Sequence, residues 1–216
     1  MYENFKYLDA VAQKEITNGV FSGSVLSVIH KGEIVYLKSF GLADKEKNIP
    51  MKTDSIFRLF SMSKPVTAAA AMILIERGLF DTRHLLKWFI PEFSDPVVLD
   101  ENGERPADRD ITIGDLLTMT SGIPYPDDTP AGQKMGALWG EQSEKYLKGE
   151  KLLDTVSFAK EMGKRPLMFS PGEKWMYGAS ADIMGAVIEV VSGMKFGDFL
   201  RKEIFEPLGM DDTGFY

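Results

Sequence analysis

The chain contains no cysteine. Disulfides and thiolate metal sites are therefore excluded, while the compartment stays open, because secreted proteins can also lack cysteine. Histidine is nearly as scarce. His30 and His84 are the only two, and neither sits in an H-x-x-x-H or similar ligand spacing. No metal or organic cofactor is expected. Long hydrophobic runs are lacking too, since the longest uncharged apolar stretch, Val66–Ile75, is too short to span a bilayer. The first fifteen residues are charged throughout and hold no apolar core of the signal-peptide kind. The expected location is the cytoplasm, unless a leader has been removed. Basic runs are also missing, and the net charge is −7. Such a chain is a poor nucleic-acid binder, because that affinity draws on lysine and arginine against phosphates. No G-x-S-x-G occurs, which argues against an α/β-hydrolase triad.

What remains is the composition of a globular protein: 216 residues, 44% hydrophobic and 26% charged, enough for one domain or two small ones. Residues 2–18 place Phe5, Leu8, Ala12 and Ile16 on one helical stripe, and Gly19 can end that helix in a left-handed conformation. Two β-rich runs then flank Lys31-Gly32, which predicts a hairpin over Gly23–Gly41. From Ser61 the period turns helical. Ala68–Ala71 are strong helix formers, Met72 to Ile75 are apolar all round, and Gly78 is the stop, so the expected helix is buried on most faces. Residues 91–110 and 123–136 are rich in Pro, Gly, Asp and Glu and read as loops. Thr112 is a candidate N-cap with Asp115 three residues on. Further helices are expected over 152–162, over 180–192 with Ser180 as cap and Gly193 as stop, and from about Phe196 to Phe205.

Three S-x-x-K spacings occur, at Ser61/Lys64, Ser157/Lys160 and Ser192/Lys195, where about one is expected by chance. Ser157 and Lys160 lie within an amphipathic helix, and Ser192 precedes the Gly193 stop. Ser61 is different, because it opens the most apolar helix of the chain. Positions i and i+3 share a helix face, so Lys64 can reach the Ser61 hydroxyl. A partly desolvated lysine there favours its neutral form, hence a base. Local physics is equally consistent with Ser61 as a helix cap and Lys64 snorkelling to water.

Four blocks in order tip that balance. "FRLFSMSKPVTAAAAMILIERG" resembles the nucleophile helix of the serine β-lactamase-like family, which includes class C β-lactamases, penicillin-binding DD-peptidases and related serine esterases. "DITIGDLLTMTSGIPY" is similar to the family's T-I-x-x-L-L-x-H-T-S-G segment, with Met119 where histidine is common. "PLMFSPGEKWMYGASADIMGAVIEVVSG" resembles the stretch with the family's tyrosine, and "EIFEPLGMDDTGFY" the segment after it. The resemblance implies Ser61, Lys64 and Tyr177 as catalytic residues, with Tyr125 and Ala179 at the substrate. The family often has Tyr-x-Asn, whereas this chain has Tyr177-Gly178-Ala179. The absent amide leans the reading from β-lactamase toward the esterase-like members.

The family's third motif, Lys-Ser/Thr-Gly or a His/Trp-x-Gly variant, follows the tyrosine on a later strand. No K-[ST]-G exists here, and His30-Lys31-Gly32 reads as the hairpin turn. The expectation is therefore an α/β protein of β-lactamase-like fold whose C-terminal strands are missing from this chain. Residues 1–60 would form the N-terminal helix and hairpin of an antiparallel sheet, and 61–216 a largely helical domain. The implied function is serine hydrolysis through an acyl-enzyme, on a small-molecule ester, amide or β-lactam. The alternatives are a β-lactamase or DD-peptidase, and a catalytically silent binding fragment of the same fold. A hairpin edge should be open or paired with a second polypeptide carrying the C-terminal half.

Overall fold

In the computed structural model, which describes residues 5–215, the chain divides after Arg58. In the first unit, helix α1 spans Lys6–Thr17. Gly19 adopts φ +74, and the backbone N–H groups of Gly19 and Val20 fold back onto the carbonyls of Ile16 and Glu15. Residues 2–4 of the expected helix lie outside the described residues. Strand β1, Gly23–His30, pairs antiparallel with β2, Glu33–Asp44. Lys31 and Gly32 between them both have positive φ, at +50 and +83, as a two-residue primed turn requires. A short β3, Ile49–Pro50, extends the sheet to the order β1-β2-β3. Thus β1 is an edge strand among the described residues. Asp9 of α1 accepts hydrogen bonds from Tyr36 and, at 2.6 Å, from Lys38 of β2, fastening the helix to the sheet.

The second unit is built around helix α6, Ser180–Ser192. Its Ile183, Met184, Ala186, Val187 and Ile188 are essentially inaccessible. Packed on it are α2 (Ser63–Glu76), α3 (Ile113–Leu117), α5 (Thr155–Gly163) and α7 (Phe196–Leu200). Gly78 at φ +71 and Gly193 at φ +69 end α2 and α6 as their positions suggest. Thr112 and Asp115 form the full capping box of α3.

Several expectations are corrected. Helix α2 buries one face, through Thr67, Ala70, Ala71 and Leu74, while Met72 is 52% exposed. Ser61 is no cap. It sits in a separate 3-10 turn, Phe60–Met62, and α2 begins after it with no side-chain cap. The α6 cap position belongs to Ala179, and the Ser180 hydroxyl instead meets Ser121 Oγ at 2.8 Å inside the core. The segment 91–110 holds a hairpin, β4 (Val97–Asp100) and β5 (Gly103–Pro106). Its pairing is stabilised by a distant partner, because Leu99 N–H and Leu167 N–H bond the carbonyls of Leu167 and Val97. The segment 123–136 runs into helix α4, Pro130–Leu147. Thr129 caps it, Pro130 occupies the first turn, and Ala131, Met135 and Leu138 form its buried stripe. No helix among the described residues is long and apolar enough to cross a membrane.

Candidate active site

Ser61 stands one turn before the body of α2. The preceding Phe60 is held at φ +47, a left-handed conformation that a bulky residue adopts only under constraint. Lys64, in the first turn of α2, donates from Nζ to Ser61 Oγ at 3.3 Å. The same ammonium donates to the Tyr125 hydroxyl at 3.2 Å. It also lies 4.6 Å from the centroid of the Tyr177 ring. The Tyr125 and Tyr177 rings are 6.0 Å apart. The i, i+3 spacing brings Ser61 to Lys64, while both tyrosines arrive from elsewhere in the chain.

Two backbone clamps deliver Tyr177. Met176 N–H bonds the carbonyl of Met119 at 2.9 Å, and Ala179 N–H that of Ile123 at 3.2 Å. Between them Gly178 must be glycine, since a Cβ there would stand 2.2 Å from the Ile123 carbonyl oxygen. The Thr120-Ser121-Gly122 turn is thereby locked to the tyrosine segment. Asp115 secures the turn, accepting from Thr120 Oγ1 at 3.1 Å and from Arg109 through both carboxylate oxygens.

Of the residues expected at the substrate, Tyr125 is in the cluster and Ala179 is not open to it. Ala179 is fully buried in the core around α6, so its side chain presents no surface to a ligand. Sequence reasoning missed Asp182. This residue lies in the first turn of α6, and its Oδ2 accepts from the Tyr125 hydroxyl at 2.8 Å. The only local signal was an acid in a first helical turn, which the helix dipole explains without invoking a site.

The electrostatics correct the expected neutral lysine. Burial does push Lys64 down, but hydrogen bonds with Tyr177 and Tyr125 outweigh it and hold Lys64 above its ordinary value. In return the Lys64 ammonium, then the Ser61 hydroxyl, draw the Tyr177 phenol below 10. Tyr125 goes the other way. Burial and the Asp182 carboxylate push it up to about 12 against the pull of Lys64. Of the two phenols, Tyr177 is the one poised to ionise, and Tyr125 stays a neutral hydrogen-bonded strut. Such a set can deprotonate a hydroxyl and reprotonate a leaving group.

A cleft of about 520 Å³ opens beside Ser61, Lys64 and Tyr125 and runs between α2, α5 and α6. Among the described residues, no group of three or more His, Cys, Asp or Glu is placed to hold a metal ion.

A family model described as Beta-lactamase matches residues 8–216. The chain is 34% identical over 211 residues to "Esterase EstB" of Burkholderia gladioli, covering 96% of this chain and 50% of that protein. It is 33% identical over 219 residues to "Lovastatin esterase" of Penicillium rubens, covering 97% and 52%. Among solved structures, "EstCE1, a hydrolase with promiscuous acyltransferase activity" matches with a TM-score of 0.77 at 28% identity, over 94% of this chain and 51% of that one. The chain spans about half the length of these relatives. Further relatives are named as acyltransferases and a penicillin-binding protein.

Proposed function

The chain belongs to the beta-lactamase family, and from that premise we propose that it carries the nucleophile half of a serine hydrolase acting on esters through an acyl-enzyme. The observation that supports this most is the convergence of Ser61, Tyr125 and Tyr177 on one ammonium, Lys64. In the proposed cycle the Tyr177 phenolate, stabilised by Lys64, takes the Ser61 proton as Oγ attacks the ester carbonyl. The Ser61 backbone N–H is one oxyanion donor. The Tyr177 phenol then protonates the departing alkoxide, leaving Ser61 acylated. Water attacks next, Tyr177 removes its proton, and Ser61 leaves with a proton restored. Lys64 keeps its charge throughout and sets the basicity of Tyr177.

Esters are favoured over β-lactams because the chain has Tyr177-Gly178-Ala179 in place of Tyr-x-Asn, and the buried Ala179 methyl offers the site neither the donor nor the acceptor that an amide would supply. The test is covalent labelling by a fluorophosphonate probe together with hydrolysis of p-nitrophenyl acetate and nitrocefin. Labelling should vanish in Ser61→Ala, and the acetate should have the higher kcat/KM. Tyr177→Phe should lower turnover about 10²-fold or more. Undiminished hydrolysis by Ser61→Ala would reject the nucleophile. A larger kcat/KM for nitrocefin would return the reading to a β-lactamase or DD-peptidase, and labelling of neither Ser61 nor any other residue would favour a silent binding fragment. Hydrolysis is measured for this chain alone and together with the C-terminal half of a relative as a second polypeptide, where this reading expects the second oxyanion donor.

A further inference from the structure

The cleft beside Ser61 has a chemical character of its own. Its far wall is apolar. Leu153 just before α5, Phe158 and Met162 within it, and Phe196 and Phe215 face the cavity. Phe196 lies over Gly185 of α6, its ring 3.4 Å from where a Cβ would stand. Phe215 lies against Phe196 with centroids 5.7 Å apart. A volume of about 520 Å³ suits a medium-length acyl chain.

The charges on the wall are unequal. Among the described residues Lys64 is the one cation lining the cleft, and it is engaged at the mouth by Ser61, Tyr125 and Tyr177. Two carboxylates line the rest, Asp182 and Asp154. Asp182 spends one oxygen on Tyr125. Asp154 caps α5 through Ser157 N–H, and Lys195 approaches it at 3.8 Å. Lys195 lies closer to Glu189, at 2.6 Å, and Lys151 also acts on Asp154 from outside the cleft, so the charge of the lining itself is that of two carboxylates against Lys64. The surrounding field has the same sign, because the excess of acidic residues lies entirely after Arg58, in the unit that holds the site.

We propose that this cleft is the acyl-chain pocket of the site, that it takes uncharged aliphatic or aromatic chains, and that Asp182 and Asp154 exclude chains ending in a carboxylate. The inference rests on the esterase reading above only for the step after binding. A carboxylate carried about 6 Å from Asp182 meets a repulsion worth about a hundredfold at the effective dielectric of a protein surface, and Lys64 at the mouth offsets only a part of it. The apolar wall adds nothing to retain it.

The experiment compares two matched pairs on the full chain. Binding of 2-decanone and of 9-oxodecanoate is measured by calorimetry, which needs no turnover. Hydrolysis is measured with p-nitrophenyl octanoate and mono-p-nitrophenyl suberate. The expected result is at least tenfold tighter binding of the neutral ketone and a similar ratio in kcat/KM. Asp182→Asn and Asp154→Asn should each narrow both ratios. Asparagine still accepts from Tyr125 and still caps α5, so these changes remove charge and keep the hydrogen bonds. Equal binding of the two ketones, or binding of neither, overturns the pocket assignment. Ratios unchanged in both variants overturn the role of the two carboxylates. Selective binding without any ester turnover supports the pocket and rejects the esterase reading instead.

Discussion

Lys64 is surrounded by three hydroxyl-bearing side chains and no carboxylate in direct contact, and this decides which of them ionises. An ammonium lowers the pKa of the phenol that faces it, and only Tyr177 lacks an opposing acid in contact. Tyr125 is raised first by burial and then by Asp182 at 2.8 Å. The difference between tyrosinate titrations of the wild type and Tyr177→Phe should therefore show a phenol ionising below the ordinary tyrosine value. Lys64→Met should move that step upward, since the phenolate loses its neighbouring positive charge. The sign carries into rate. Hydrolysis should rise with pH through the lowered Tyr177 value, and the limb should shift to higher pH in Lys64→Met. A rising limb at the same pH in both proteins would assign the base elsewhere.

At the scale of elements, the site depends on how the turn before Tyr125 is tied to the segment bearing Tyr177. Gly178 is the tightest point of that tie. Gly178→Ala must displace either the Ile123 carbonyl or Tyr177. A misplacement on the order of 1 Å can cost about 10²-fold, so kcat/KM should fall by that scale while the fold persists. Wild-type activity in the alanine variant would mean that the clamp does not position the tyrosine. Asp115 holds the other side. It caps α3, pairs with Arg109 and accepts from Thr120, with its side chain almost wholly buried. Asp115→Ala should cost about 2–4 kcal/mol in chemical denaturation. Burial pushes its carboxyl up, but Arg109 and Thr112 outweigh this and hold it below 3.8 in the folded chain. Its stabilisation is therefore complete above 3.8 and disappears as the pH falls through the lowered folded value. The alanine variant should lose that part of the acid-induced destabilisation.

Over the whole molecule the charge distribution acts at longer range. The residues up to Arg58 carry no excess of acid, whereas those after it account for the net −7 and more. Anionic substrates approach the site-bearing unit against its field, and salt screens that field with a Debye length of about 10 Å at 0.1 M. Raising ionic strength should increase kcat/KM for mono-p-nitrophenyl suberate and leave that for the octanoate nearly unchanged. Equal salt responses for the two esters would show that the net charge has no part in selection.

The sequence alone determined whatever depends on near neighbours along the chain. Ser61 and Lys64 meet because i and i+3 share a side, Thr112 and Asp115 cap because they stand three apart, and Gly19, Gly78 and Gly193 end helices because glycine tolerates positive φ. The four ordered blocks also carried the family. Tertiary structure decided what depends on partners far away. The β4–β5 hairpin is short, its β5 is polar, and it is anchored by Leu167 some seventy residues on from β4. Helix α4 carried a legible cap and stripe, but loop-like composition before Pro130 masked them. Ala179 matched the position of a substrate contact, yet packing closed it off, and Asp182 gained its importance only when α6 was set beside Tyr125. The charge state of Lys64 shows the division most clearly. Its local sequence indicates desolvation and a neutral amine, whereas two phenols brought in by the fold keep it an ammonium, because a pKa reports the sum of all neighbours in space.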